Sequence, residues 1–474
     1  MTRLAPILVI VLGLAACGDD KYTVERLQDP NTCTSCHPTH FTEWSGSMHA
    51  YAATDPVFIG MHKRGQRETS GALGTFCVNC HAPMAVANGT ITADNAKDID
   101  LSTLSPAETG VTCFFCHNAE KVTRDHDNGI ELAMDQTMRG GVKDPVDNEA
   151  HHSAYDVLQD GERNKSEMCG SCHDVITPNG VHLERTFKEW KETIFGSSED
   201  PSVKLSCSAC HMEPFDDTIA DAPGVGLRPF GRHDHMMAGI DQALTPFPET
   251  AAQDAAIQKI LRPAIGIKGP KPLTGIRSRG GICVDDPSDP GEITVRMDSF
   301  NVGHNFPSGV AHDRRVWLEV IAYDVNDAVV FSSGVVPDGK DPEEINDPNL
   351  FGLWERTFKG DGSPAHFFHE VVSYDPNPMH FIPGAVTLDP NDPRIDHSRK
   401  AVYPNVPSIG SITKVTARLR MRALPYAVLR LLEQSGDLDP AVKTQLKTLE
   451  VTSSTWLKST AGTGLAMFTR CNPS

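Results

Sequence analysis

Cys33-Thr34-Ser35-Cys36-His37 opens a pattern that returns as Cys77-Val78-Asn79-Cys80-His81, Cys113-Phe114-Phe115-Cys116-His117, Cys169-Gly170-Ser171-Cys172-His173 and Cys207-Ser208-Ala209-Cys210-His211. Five copies of C-x-x-C-H in one chain are not coincidence. On a helical turn, residues i, i+3 and i+4 share a face, so two thiols and an imidazole point at one object. Thiols at that spacing add across the two vinyl groups of a haem as thioethers, and the histidine becomes the proximal iron ligand. Zinc would need paired C-x-x-C units or added histidines to reach four ligands. A redox dithiol needs one motif and no trailing histidine. The expected cofactor is therefore haem c, five copies, held by Cys33, Cys36, His37 and their four counterparts.

Outside the motifs, 3 of the 13 cysteines remain, Cys17, Cys283 and Cys471. Thr2-Arg3 is a short positive start and Leu4 to Leu14 an apolar run too short to span a bilayer. The small residues Ala15-Ala16 precede Cys17, and polar Gly18-Asp19-Asp20 follows. This reads as a lipoprotein signal over 1–16, with Cys17 the acylated first residue of the mature chain and 17–32 a tether. Several acyl chains on one residue would hold it durably to a membrane. The expected location is the bacterial cell envelope, at the periplasmic face or the outer membrane and cell surface. That compartment is oxidising, so Cys283 and Cys471 are expected to pair in a disulfide closing a long loop.

At 39% hydrophobic and 22% charged residues the composition is that of a globular chain. Its 474 residues are enough for two or three domains. A formal charge of −19 argues against a nucleic-acid partner.

The motifs place a pentahaem domain over 33–240, with short helices and long loops, since Gly and Pro punctuate it heavily. Residues 241–282 read as a connector containing one helix, Glu249 to Leu261. Beyond Cys283 the period changes to two. Ile293, Val295 and Met297 alternate with polar residues, as do Val316, Leu318, Val320 and Ala322, and Val415, Ala417, Leu419 and Met421. The fold class expected is α+β multidomain, with an all-β sandwich-like domain over 283–425. Two helical patterns, Tyr426 to Gln434 and Pro440 to Leu449, suggest a helical C-terminal tail over 426–474.

A low-spin electron-transfer haem needs a second axial ligand, and 15 of the 20 histidines lie outside the motifs. His49, His151, His235 and His304 are the distal candidates. His152 competes with His151, and His233 with His235. His304 sits in a tight turn of the β-domain, so ligation by it would clamp the two domains together. His62, His126 and His182 lie near motifs in weaker contexts, and His366, His369, His380 and His397 read as ordinary β-domain residues. Methionine ligation would raise the potential; Met48 and Met61 stay open, whereas Met212 follows a motif histidine and points elsewhere. The fifth distal ligand is not assigned.

The run Cys33 to Ala50, with Trp44, Ser47 and His49, resembles the first haem unit of multihaem cytochromes related to the tetrahaem electron-acceptor cytochrome of hydroxylamine oxidoreductase. Cys169 to Asp174 with Thr186-Phe187-Lys188-Glu189-Trp190, and Cys207 to Met212, are similar too. The turn Gly303-His304-Asn305-Phe306-Pro307-Ser308-Gly309, followed by Arg315-Val316-Trp317-Leu318-Glu319-Val320, resembles the accessory β-domain of larger members. The resemblance covers most of residues 33–425. It implies closely packed haem pairs, bis-histidine ligation and electron transfer.

Electron transfer between redox partner proteins, by a membrane-tethered conduit, is thus the expected function, with no catalytic residue assigned. Ammonia-forming nitrite reductases carry lysine at the catalytic haem, whereas all five motifs here end in histidine. Two other readings compete. One is an oxidoreductase with a single open haem, acting on a small nitrogen or sulfur compound with His126 or Tyr155 as acid or base. The other is a subunit of a cytochrome filament.

Overall fold

A computed structural model describes residues 21–161, 166–247, 249–261, 281–284, 287, 291–299 and 302–460. The lipoprotein signal, Cys17, Cys471 and most of the connector lie outside the described residues. The class is α+β: short helices with small sheets in the first half, and larger sheets in the second.

The first half builds local structure from caps rather than from long amphipathic stretches. Thr112 and Ser206 stand directly before motif cysteines, and their hydroxyls accept from the Phe115 and Ala209 amides to start the helices Cys113–His117 and Cys207–His211. Pro56–Glu68, at 13 residues, starts with proline at its first turn and the Asp55 carboxylate accepting from the Val57 amide. Between the helices lie two-stranded sheets, including a parallel pair, Thr137–Gly140 with His152–Tyr155. The apolar side chains here gather in separate small groups. Ala53, Phe58, Val78, Ala82, Ala85, Ile91, Ala96 and Leu101 form one; Phe187, Trp190, Ile194, Phe195 and Ala385 form another.

The largest apolar core lies in the second half, between two sheets. A three-stranded antiparallel sheet is made by Gly281–Val284, Ile293–Asp298 and Ser398–Tyr403, with Ile293–Asp298 central. A five-stranded sheet runs Val329–Ser333, Arg315–Tyr323, Lys414–Arg422 and Leu449–Leu457, with Phe351–Leu353 also pairing Arg315–Tyr323. The alternating residues of both sheets, from Val295 and Met297 to Val316, Leu318, Val415 and Leu419, are buried together.

The helical tail expected over 426–474 is corrected in part. Tyr426–Gln434 is a helix and buries Val428, Leu429 and Leu432. The second pattern is instead a single 3-10 turn, Val442–Gln445, followed by the strand Leu449–Leu457. That strand pairs with Lys414–Arg422 and seats Leu449 and Trp456 in the interior. Sheet pairing overrides local helical periodicity there, and the β-region runs past 425. The connector helix is observed as Thr250–Leu261.

The two halves are joined at several places, among them Arg67 with Asp437 and Glu68 with His369, and one of the contacts bears on His304. The Glu189 carboxylate on the helix Thr186–Glu192 accepts from Ser308 Oγ at 2.7 Å and from the Asn305 amide at 3.2 Å, and Thr186 Oγ1 accepts from the Gly309 amide at 2.9 Å. Arg185 pairs with buried Glu355 beside them. The turn carrying His304 is thereby held against the first half. No described helix is long and apolar enough to cross a membrane.

Candidate functional site

A histidine that binds a metal through one ring nitrogen donates its other N–H, commonly to a carbonyl. Four of the motif histidines do so. Nδ1 of His37 donates to the Ile219 carbonyl at 2.8 Å, His81 to Ala52 at 3.2 Å, His117 to Arg139 at 2.6 Å and His211 to Ala238 at 2.9 Å. A carbonyl can only accept, so in each ring Nδ1 carries the proton and Nε2 presents its lone pair. Three distal candidates repeat the device: His151 to the His152 carbonyl at 3.0 Å, His235 to His233 at 2.8 Å and His304 to Asn305 at 2.7 Å.

These imidazoles also stand opposite one another. Two imidazoles on one metal, with metal–nitrogen bonds of about 2 Å, have ring centroids roughly 6 Å apart. His37 and His151 are 6.4 Å apart, His117 and His235 are 6.2 Å apart, and His49 and His173 are 6.2 Å apart. His304 lies near His211, whose basicity is lowered first by burial and then by the charge of His304. Burial likewise pushes His49 and His81 down to about 4 and His235 to about 3, so all are neutral, as a ligand must be. The donor set fits haem c at each motif.

His81 is different. Phe58 stacks flat on its ring at 3.8 Å and 3°. Among the described residues no histidine ring faces it at the spacing of the other pairs. His62, the nearest candidate in sequence, commits Nε2 to the Ala96 carbonyl at 3.1 Å. His126 and His182 pair with Asp125 and Asp174. His152 is exposed and bonds Asp147, and His233 bonds the Met212 carbonyl with no motif histidine opposite. Tyr155 donates to Asp160 at 2.7 Å.

The thiols give the motifs an order in space that sequence could not supply. The side chains of Cys33 and Cys113 lie beside each other, as do those of Cys80 and Cys172 and of Cys169 and Cys207. The first motif therefore abuts the third, the second abuts the fourth, and the fourth abuts the fifth. Cys116 lies close enough to Cys169 and Cys172 to act on both through charge, which links the third motif to the fourth. Cys283 is disulfide-bonded; Cys471, its expected partner, is outside the described residues.

Sequence reading missed His40 and an ion pair between Arg314 and Asp241. His40 packs edge-on against both His37, at 5.6 Å, and His235, at 4.8 Å. Asp241 lies near enough to His81 and His173 to act on both through its charge. Arg314 grips Asp241 with two bonds of 2.6 and 2.7 Å.

Residues 32–118, which hold the first three motifs, match the model of the family described as cytochrome c554 and c-prime. No curated protein matches the chain. The fold is similar to the crystal structure of a penta-heme cytochrome c552 from Thermochromatium tepidum, with a TM-score of 0.55 at 18% identity, over 92% of this chain and 99% of that one. Motif chemistry, family match and shared fold together support a multihaem c-type cytochrome that binds haem c and transfers electrons.

Proposed function

We propose that the chain is an exported, lipid-anchored pentahaem cytochrome that carries electrons between redox partner proteins through bis-histidine haems. The observation that carries this reading is the opposed spacing of His37 with His151, His117 with His235 and His49 with His173. Haem c supplies one-electron chemistry at each motif. The motif cysteines and histidines would hold the haems, and His49, His151, His235 and His304 would supply the second imidazoles, kept neutral by burial. The thiol contacts favour a path from the first motif through the third to the fourth, with branches to the second and the fifth. His304 would complete the fifth site from the β-domain. Acylation of Cys17 would tether the whole to the envelope.

A specific observation favours a second reading for one position. His81 has no described histidine opposite it, so its haem would be open on one face and able to take a small ligand. The test for both readings is the dithionite-reduced spectrum with and without carbon monoxide, normalised to haem content by pyridine haemochrome. Five haems with no carbon monoxide response would support a pure electron carrier. A response equal to one haem, abolished when the second motif is removed by Cys77→Ser with Cys80→Ser, would support an open site at His81.

A further inference from the structure

The helix Pro38–Ser45 starts directly after the first motif, with His37 as its N-cap and Pro38 in its first turn. Residues three apart on a helix lie along one side of it. His40, Glu43 and Gly46, the residue that ends the helix, make such a series leading away from the motif. All three meet the segment 232–236, which carries His235. The His40 ring packs edge-on against the His235 ring, with centroids 4.8 Å apart and planes at 73°. The Glu43 carboxylate accepts from the His235 amide at 3.1 Å through one oxygen and from the Arg232 guanidinium through the other. Gly46 lies under the Met236 side chain, and a Cβ there would stand 2.9 Å from its Cε.

The remaining hydrogen bonds of this segment belong to its own hairpin or stay within it. The strand Arg228–His233 pairs with Pro214–Asp217, and the Asp234 amide donates to the Glu213 carbonyl at 2.9 Å. His235 lies beyond the last of these. Its Nδ1 reaches back to the His233 carbonyl at 2.8 Å, and the Met236 amide reaches Asp234 at 2.7 Å. Both bonds move with the segment. Among the described residues, the Glu43 bond is thus the one that ties the His235 backbone to another element. Glu43 is itself steadied from the far side, because Arg232 is 8% exposed, donates to Asp217 at 2.8 Å and lies over the Phe215 ring at 4.5 Å.

We propose that Glu43 is a positioning residue for the third haem. By holding the His235 backbone it keeps that imidazole opposite His117, where the rings stand 6.2 Å apart and the two can share one iron. The axial ligand of the third motif is thereby fixed to the helix that grows out of the first. A ligand has to be held to within about 0.5 Å of its working place, and a bond from a charged acceptor to the ligand's own backbone does that more firmly than a neutral one. The proposal rests on His235 being the second imidazole at the third motif, which His235→Ala measures separately.

The test is a carbon monoxide titration of the full, dithionite-reduced holoprotein, counted against haem by pyridine haemochrome. It compares the wild type, His235→Ala, Glu43→Ala, the double variant and Asp217→Asn. His235→Ala should gain the response of one haem. Glu43→Ala should gain the same haem at unchanged haem content, at a carbon monoxide concentration at least about tenfold below that needed by the wild-type third haem, as the loss of a bond to a charged group implies. The double variant should respond no more than His235→Ala, since both changes act on one iron. Asp217→Asn loosens Arg232 without touching His235 and should respond as the wild type. If Glu43→Ala does not accumulate, Glu43→Met, which fills the space without an accepting oxygen, carries the same expectation. A gain in His235→Ala with none in the Glu43 variant overturns the proposal and leaves His235 as a ligand. No gain in His235→Ala removes the ligand and the proposal together. A double variant that exceeds His235→Ala, or an Asp217→Asn protein that matches Glu43→Ala, would mean general loosening and also overturns it.

Discussion

His49 and His173 face each other with ring centroids 6.2 Å apart and planes at 84°. Neither ring has its own hydrogen bond to fix it among the contacts described above, so their placement depends on the segments that carry them. His49 rides on the helix Met48–Tyr51, whose Ser47 side chain caps it by accepting from the Ala50 amide.

If His49 is an axial ligand, His49→Ala should leave one further haem open. The reduced protein should then respond to carbon monoxide with one haem more than the wild type. His151→Ala and His235→Ala should each do the same, and the two should not be additive with each other, because His40 packs against both His37 and His235. A His49→Ala protein with the wild-type response would remove His49 from the ligand set.

Gly110 tests how His49 is held. Its φ is +71°, and an added Cβ would lie 2.5 Å from the His49 carbonyl oxygen and 2.6 Å from that of Ala50. The adjacent Val111 amide donates to the same His49 carbonyl at 2.9 Å. Gly110→Ala should cost at least about 1–3 kcal/mol from backbone strain alone and displace His49, read as lower stability with a gain in carbon monoxide response. Gly89, at φ +76° with nothing within 4 Å, is the control. Gly89→Ala should lose stability without changing the response.

Much of this was legible in sequence because it is local. Two thiols and a histidine at i, i+3 and i+4 need only one helical turn, and strands such as Lys414–Arg422 declare themselves by period two. His151 and His235, whose rings stand opposite His37 and His117, each lie in a short histidine-bearing run of the sequence. The nearness of Cys80 to Cys172 was not legible, since it depends on contacts between distant segments. Nor was the cluster around Arg314. His312-Asp313-Arg314-Arg315 is a run of four polar residues, which reads as an exposed turn before a strand, yet each is buried. The run is hidden because Asp241, Glu184 and Glu343 meet it from elsewhere. The helix expected over 440–449 failed for the opposite reason: a neighbouring strand was available to pair.

Phe58 stacks on His81 at 3.8 Å and is 8% exposed. Phe58→Ala should destabilise the protein by about 3–5 kcal/mol through lost burial and the cavity left behind. Phe58→Leu keeps most of the volume and should lose mainly the ring contact, about 0.5–1.5 kcal/mol. Denaturant unfolding of the two variants measures the difference. Equal losses would mean that stacking on His81 contributes nothing of its own.

The pH dependence of stability sets two groups of residues against each other. Burial holds His49 and His81 down to about 4, and His40, His235 and His312 to about 3. An unfolded histidine takes up its proton near 6.5. Below that pH the unfolded chain therefore binds more protons than the folded one, and stability falls as pH falls. Burial raises Asp55 and Asp313 to about 6 and Glu184 to about 7, so the folded chain keeps those protons and stability from these three rises as pH falls. Five histidines displaced by two units or more outweigh three carboxyls displaced by similar amounts. The thermal midpoint of the holoprotein should thus be flat above about pH 7 and decline from about 6.5 toward 4. Glu184→Gln removes one opposing contribution, so its decline should be steeper than that of the wild type. A midpoint that climbs on acidification through this window would mean the carboxyls dominate, and the histidines are not held neutral as their burial requires.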